Sequence, residues 1–331
     1  SSFEKIKLIR GKMSVVEKLW DSLRAGRPYF IAEAGVNHLG SFELAERLIS
    51  EAASAGADAI KFQSYKAKNL CTRTAPRFWD WDGEVDKGGT QYDSYALLDS
   101  FGAEEHAVLR DMCDSYGIDF MSTPFDNDAV DYLDALNVAA YKIASCDITN
   151  YDLLNHVGGK RKIVMLSTGA SSLDEIQGAI DVLEKAGTSK IVIMHCNLKY
   201  PTDADEINLA MIDSIRQRFG DRYVYGLSDH TREVQTPVFA VALGANVVEK
   251  HYTVDKTLGK SADHWLSVDP KEVAEIVSGM SLAHKMIGTI DQQKSATESE
   301  LRARKFARRS LVSLRKIEKG EVITRENMGC K

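Results

Sequence analysis

The chain has 331 residues, 44% apolar and 27% charged, with a formal net charge of −6. That composition describes a globular chain able to bury a large core, and the acidic balance argues against a general nucleic-acid or anionic-membrane binder while allowing a local basic pocket. Cys71, Cys113, Cys146, Cys196 and Cys330 form an odd set with no CxxC spacing, and no long apolar run appears. These features fit a reduced, cytoplasmic protein with no membrane span.

Residues 1–28 read as an N-terminal extension. Eight short apolar, β-branched runs follow, at 29–37, 59–65, 119–125, 140–145, 162–168, 190–196, 224–230 and 246–252. Helical patterns separate them, most plainly at 42–56, 104–117 and 172–187. The last opens on Ser172 with Glu175 three residues on, a capping box, and closes at Gly187. Continuous apolar strands alternating with helices predict a parallel sheet covered on both faces, and eight units predict an α/β fold of the (β/α)8 TIM-barrel type over 29–288. An open doubly wound sheet shares the local pattern, but no GxGxxG or P-loop follows the first strand.

Two departures break the rhythm. Residues 66–103 form a long insertion rich in aromatic and charged side chains, which suits a binding loop. After the barrel, 289–306 is polar and basic and reads as a linker. Residues 307–331 then alternate apolar and polar around Glu318-Lys319-Gly320-Glu321, as a small, incomplete β-rich domain does.

Barrel chemistry belongs at the C-terminal ends of the strands. Those positions offer the cations Lys61 and Lys142, the hydroxyls of Thr123, Ser145, Ser167 and Ser228, and the amides of Asn37, Gln63 and Asn197. They also offer the carboxylates Glu33, Asp147 and Glu249 and the imidazoles His38, His195, His230 and His251. Singly each is ordinary, since a lysine at a strand end is often a solvated cap. Gathered in one cavity, two lysines and several hydroxyls suit a small phosphorylated carboxylate.

His230, in SDHT, and His251, in EKHY, end adjacent late strands and can share one divalent ion. No third protein ligand is evident, so coordination would be open, the catalytic kind. The structural alternative is a pair of hydrogen-bonded rim histidines. Two other functions stay open: a pyruvate aldolase using Lys142 as a Schiff base, and a non-catalytic sugar-acid binding protein.

The strings FIAEAGVNHLGS, AGADAIKFQSYKA, STPFD, YKIAS, LSTGASSLDEI, HCNLKYPT, GLSDHT and VVEKHYTVDK closely resemble the N-acetylneuraminate (sialic acid) synthase family, which includes legionaminate and pseudaminate synthases and spore-coat polysaccharide homologues. The resemblance runs from about 29 to 324. It implies condensation of phosphoenolpyruvate with the open-chain aldehyde of N-acetylmannosamine or a related acetamido hexose, with release of inorganic phosphate. By it, Lys61, Thr123, Lys142, Ser145, Ser167, Asn197 and Ser228 bind phosphoenolpyruvate. Glu33, Tyr200 and Asp263 face the sugar. His230 and His251 hold a metal with Gln63 and Glu249 nearby, Mn2+ first and Mg2+ or Co2+ as alternatives.

The same resemblance makes Glu33, Asp147, His230 and His251 the catalytic set, with Asp147 orienting or deprotonating the attacking water or else supporting the metal from behind its ligands. It reads 307–331 as part of an antifreeze-like (SAF) domain in a domain-swapped homodimer. Two departures from the family pattern stand out. Ser145-Cys146-Asp147 replaces a usual Ser-Gly-Glu, with Cys146 expected as passive packing. The arginine-bearing part of the antifreeze-like domain has no counterpart here.

Overall fold

The computed structural model describes residues 14–79, 89–259, 263–288 and 293–331. Two compact units, Ser1–Ile287 and Gly288–Lys331, divide the chain. The first is built on β1 (Tyr29–Gly35), β2 (Ala59–Ser64), β3 (Asp119–Pro124), β4 (Ala140–Ile143), β5 (Ile163–Ser167), β6 (Ile191–Cys196), β7 (Val224–Asp229) and β8 (Val247–His251). All are parallel, and β1 pairs with both β2 and β8. The sheet therefore curls into a ring in the order β3-β2-β1-β8-β7-β6-β5-β4, with β3 and β4 adjacent at a seam that carries no ladder. This near-closed barrel with surrounding helices is the expected (β/α)8 architecture.

Helices return the chain between strands: α1 (Val15–Arg24) precedes the barrel, and α2 (Phe42–Ser54), α3 (Ala103–Tyr116), α4 (Asn127–Ala135) and α5 (Tyr151–Gly159) follow β1 to β4. The circuit continues with α6 (Leu173–Ala186), α7 (Met211–Phe219), α8 (Thr236–Ala242) and α9 (Pro270–Ile287). The capping box read from Ser172 and Glu175 forms: Ser172 N donates to Glu175 Oε2 at 2.7 Å, and Glu175 N donates to Ser172 Oγ at 3.3 Å. None of the described helices is long and apolar enough to cross a membrane.

Strand side chains alternate between two faces. Phe30, Ile60, Phe62, Tyr141, Val164, Leu166, Ile193, Leu227 and Val248 pack outward against the helices. Tyr29, Ile31, Ala59, Met121, Ala140, Met165, Val192, Met194, Val224 and Val247 fill the interior. Extending the inward set by two residues along each strand reaches the rim, and that alternation delivers the site residues to one mouth.

The opposite mouth is plugged by α1. Its Trp20 and Leu23 are buried with the lower interior residues, and Asn246 Nδ2 donates to Leu23 O at 3.0 Å. Part of the segment expected as a bare extension is thus core; residues 1–13 lie outside those described.

In the second unit, Thr297 caps a helical segment that runs through Leu301–Phe306, inside the stretch expected as linker. Beyond it β9 (Leu311–Ser313) and β10 (Met328–Cys330) pair antiparallel. The buried Asn327 shapes the turn between them, donating to Val322 O at 2.9 Å and accepting from Thr324 N at 2.8 Å.

Because Trp20 closes the lower core, Trp20→Ala should lower the unfolding free energy by about 3–5 kcal/mol through lost burial and a residual cavity. Denaturant titration measures this, and a loss under about 1 kcal/mol would show that α1 does not contribute to the core.

Candidate active site

A cavity of about 750 Å³ opens at the C-terminal mouth of the barrel. At its floor, Lys61 Nζ lies 2.6 Å from Glu33 Oε2, 2.7 Å from Thr123 Oγ1 and 3.7 Å from Glu249 Oε2. Lys142 Nζ reaches Glu249 Oε1 at 3.1 Å, and Ser228 Oγ donates to the same oxygen at 3.2 Å. Glu249, on β8, therefore bridges lysines carried by β2 and β4. All four charged groups are almost wholly shielded from solvent, and two positive charges face two negative ones.

The two carboxyls respond differently to this enclosure. Burial dominates at Glu33 and raises its carboxyl despite Lys61, with Glu249 adding to the rise. Burial also acts to raise Glu249, but Lys142 and then Lys61 outweigh it and hold that carboxyl low. Glu33 is thus the group suited to carry a proton and Glu249 the fixed anion. Neighbouring carboxyls driven apart in this way divide acid–base from electrostatic work.

Local backbone serves the same end. The register between β1 and β2 slips between Glu33 and Gly35, and Gly35 has φ +53°. A Cβ there would lie 3.1 Å from Gln63 Nε2 and 3.3 Å from Glu33 Oε1. Glycine thereby leaves space for Gln63 Nε2 to donate to Glu33 Oε1 at 3.0 Å.

Around the floor stand further hydroxyls. Ser145 Oγ accepts from Gly169 N at 2.9 Å, while Ser167 Oγ is buried with no hydrogen-bond partner. A buried unpaired hydroxyl lining the same cavity is a ready donor to an anion's oxygen.

His230 and His251 share the mouth, with ring centroids 5.5 Å apart. His230 Nδ1 meets Asn197 O at 2.5 Å, which directs the ring and leaves Nε2 for a ligand. Burial, reinforced by His251, holds His230 neutral with its pKa lowered to about 3, the state a metal requires. His251 Nδ1 has no hydrogen-bond partner and lies 3.7 Å from Asp263 Oδ2. Tyr200 stacks on His230 with centroids 3.9 Å apart and lines the same cavity. Among the described residues no group of three His, Cys, Asp or Glu is disposed to hold a metal. The donors at the mouth are the two imidazoles, and an ion held by them would leave its other positions to water and substrate.

Glu33, Lys61, Gln63, Thr123, Lys142, Ser145, Ser167, Tyr200, Ser228, His230, Glu249, His251 and Asp263 all line this one cavity. Asp147 and Asn197 do not. A 3-10 turn, Ser145–Asp147, carries Asp147 off the wall, where Asn150 Nδ2 donates to its Oδ1 at 3.1 Å. Asn197 engages its own loop, donating to Glu206 O at 3.2 Å and accepting from Lys199 N at 2.9 Å. What Asn197 offers the site is its main-chain oxygen.

His38 and His195 also lie off the wall. His38 stacks on Phe101, where burial lowers its pKa to about 4, and His195 bonds Ile207 O at 2.6 Å. Cys146 is exposed toward the mouth rather than packed away. Burial, and then Asp147, push its thiol up to about 12, which disfavours the thiolate. Cys196 was missed, although alternation through Val192 and Met194 points it inward.

The insertion after β2 supplies the cavity's outer wall with Leu70, Phe78, Trp79, Tyr95, Leu97 and Leu98. Trp79 lies edge-on to Phe78 at 4.8 Å. Residues 80–88 of the insertion are outside those described.

A parallel barrel with a lysine-lined, histidine-flanked mouth is a catalytic architecture of the anion-handling kind. Residues 48–292 match the NeuB family, and the chain belongs to it. The chain is 38% identical over 306 residues to the N,N'-diacetyllegionaminic acid synthase of Campylobacter jejuni, covering 91% of this chain and 89% of that protein. It is 36% identical over 304 residues to the Legionella pneumophila enzyme of the same name, covering 91% and 84%. Among solved structures it resembles the N-acetylneuraminic acid (sialic acid) synthetase of Leptospira borgpetersenii in complex with citrate. There the TM-score is 0.74 and identity 34%, over 85% of this chain and 92% of that one. The chain is accordingly a synthase of the sialic and related sugar-acid family.

Removing the bridging carboxylate tests the charge cluster. Glu249→Gln leaves Lys142 buried without its counter-ion and should cost about 3–5 kcal/mol of stability. Inorganic phosphate should then raise the melting temperature of the variant more than that of the wild type. Equal stability of the two proteins, with equal response to phosphate, would contradict the bridge.

Proposed function

We propose that this protein condenses phosphoenolpyruvate with the open-chain aldehyde of N-acetylmannosamine or a related acetamido hexose, releasing inorganic phosphate. The observation that carries the reading is the convergence of Lys61 and Lys142 on one buried carboxylate beside the His230–His251 pair. A phosphate or carboxylate oxygen can replace Glu249 between the ammonium groups. Thr123, Ser145, Ser167 and Ser228 then complete the cradle.

His230 and His251 would hold the divalent ion, Mn2+ by resemblance or Mg2+ or Co2+, with Gln63 and Glu249 nearby. Once bound it supplies Lewis acidity to the acceptor's aldehyde oxygen. Lys61 and Lys142 fix the enol phosphate so that its C3 faces the aldehyde carbon. A C–C bond forms between those atoms, and the aldehyde oxygen takes a proton. Water adds at C2 and gives up one proton; the new hydroxyl's proton then passes to the departing phosphate as the C2–O bond to it breaks, leaving the 2-keto acid and inorganic phosphate. Glu33, raised by burial and 2.6 Å from Lys61, is placed to handle a proton in these steps. It takes the role expected of Asp147, whose carboxyl lies off the cavity wall.

The aromatic outer wall receives the acceptor's non-reacting end, with Tyr200 and Asp263 on its other side. An imine-forming role for Lys142 is disfavoured by its 3.1 Å ion pair with Glu249, since surrendering its charge would leave that buried anion undercompensated. The homodimer and the antifreeze-like identity of 307–331 belong to the same reading. Exposed Leu311, Val322 and Ile323 support it as apolar surface that a second copy would cover.

With Mn2+, phosphoenolpyruvate and N-acetylmannosamine or diacetamido hexoses, the protein should release phosphate stoichiometrically with a product identified by mass spectrometry. Lys142→Met should reduce kcat/KM by at least about 100-fold, the cost of a charge-assisted contact to the reacting anion. Trp79→Ala should raise the acceptor KM and leave that for phosphoenolpyruvate unchanged. No phosphate release with any N-acyl hexosamine, free or phosphorylated, would overturn the reading.

A further inference from the structure

One step along each strand from the two histidines lies a second pair of charges. Asp229 and Lys250 immediately precede His230 and His251, so alternation turns them to the other face of the sheet. They share that face with Leu227 and Val248, in the apolar layer between barrel and helices. Neither lines the cavity. Lys250 Nζ contacts Asp229 Oδ2 at 2.6 Å, with side-chain exposures of 1% and 0%. A fully buried ion pair in an apolar layer is weak evidence for stability, because apolar residues of like volume often serve folding as well or better.

What the pair does provide is connection. Asp229 and Lys250 are register partners across β7 and β8, the last rung of that ladder before the histidines. Lys250 Nζ also donates to Thr231 O at 2.5 Å, and Thr231 N donates to Asp229 Oδ1 at 2.8 Å. Thr231 Oγ1 in turn bonds Thr236 Oγ1 on α8 at 2.9 Å. One ammonium, itself attached to the residue before His251, thus grips the residues on both sides of His230. The turn bearing one imidazole cannot shift against the strand bearing the other without breaking buried charge-assisted hydrogen bonds.

We propose that the buried Asp229–Lys250 pair is a positioning device that fixes the separation of His230 and His251 so that they share one divalent cation. This inference rests on the reading of the two histidines as the metal pair. It assigns Asp229 and Lys250 no contact with substrate or ion.

The test is Mn2+ binding followed by the free-ion EPR signal, in the wild type and in a double variant, Asp229→Leu with Lys250→Met. Wild-type protein should bind one ion; no binding there would overturn the histidine reading itself, before the clamp is in question. The double variant should keep or raise the melting temperature and bind Mn2+ at least about tenfold more weakly. Its affinity for inorganic phosphate without metal should stay within about twofold of wild type, because Lys61 and Lys142 are untouched. A folded double variant with wild-type Mn2+ affinity overturns the proposal, as does an equal loss of phosphate binding, which would mean general loosening. If the double variant does not fold, Asp229→Asn decides by the same two affinities: selective weakening of Mn2+ supports the clamp, and unchanged Mn2+ binding overturns it.

Discussion

Glu249 lies in the floor of the barrel with Lys142 on one oxygen and Lys61 approaching the other. Two ammonium groups this deeply enclosed repel one another and are costly to strip of water, and only a shared anion makes the arrangement tenable. Much of the site's geometry follows from that need. The strands must close far enough for β2 and β4 to present lysines to a carboxylate from β8. Glu33 is drawn into the same cluster through Lys61. The lower interior must then be sealed by apolar layers, with Trp20 and Leu23 of α1 completing the plug.

An anion entering the lysine cradle would compete with Glu249 and shift the whole mouth toward negative. A divalent cation at the neighbouring imidazoles would offset that shift, and anion and cation binding would then be coupled through charge. The aromatic wall from the insertion plays another part, enclosing the cavity and offering flat apolar surface to a third body. Water exclusion by that body strengthens every interaction at the floor.

Much of this was legible in the sequence because strand alternation is strict. Lys61 and Gln63, or Ser228 and His230, are two residues apart and must face the same way, so strand ends named most of the cavity. The capping box at Ser172 was equally local. The failures lie where alternation stops. Asp147 sits in a 3-10 turn beyond β4, and Asn197 in the loop beyond β6; period-two reasoning cannot aim side chains there. The plug by α1 was hidden for a different reason. An amphipathic helix announces a buried face without saying which mouth it covers. Cys196 and the Asp229–Lys250 pair lie within reach of alternation, the first inward and the second outward.

The most direct measurement of the central claim is a crystal structure of the protein with phosphoenolpyruvate and Mn2+. The account predicts phosphate or carboxylate oxygens on both Lys61 and Lys142, Glu249 displaced from at least one of them, and an anomalous manganese peak bonded to His230 and His251. An anion bound elsewhere, with the Lys61–Glu249–Lys142 bridge unchanged, would contradict it.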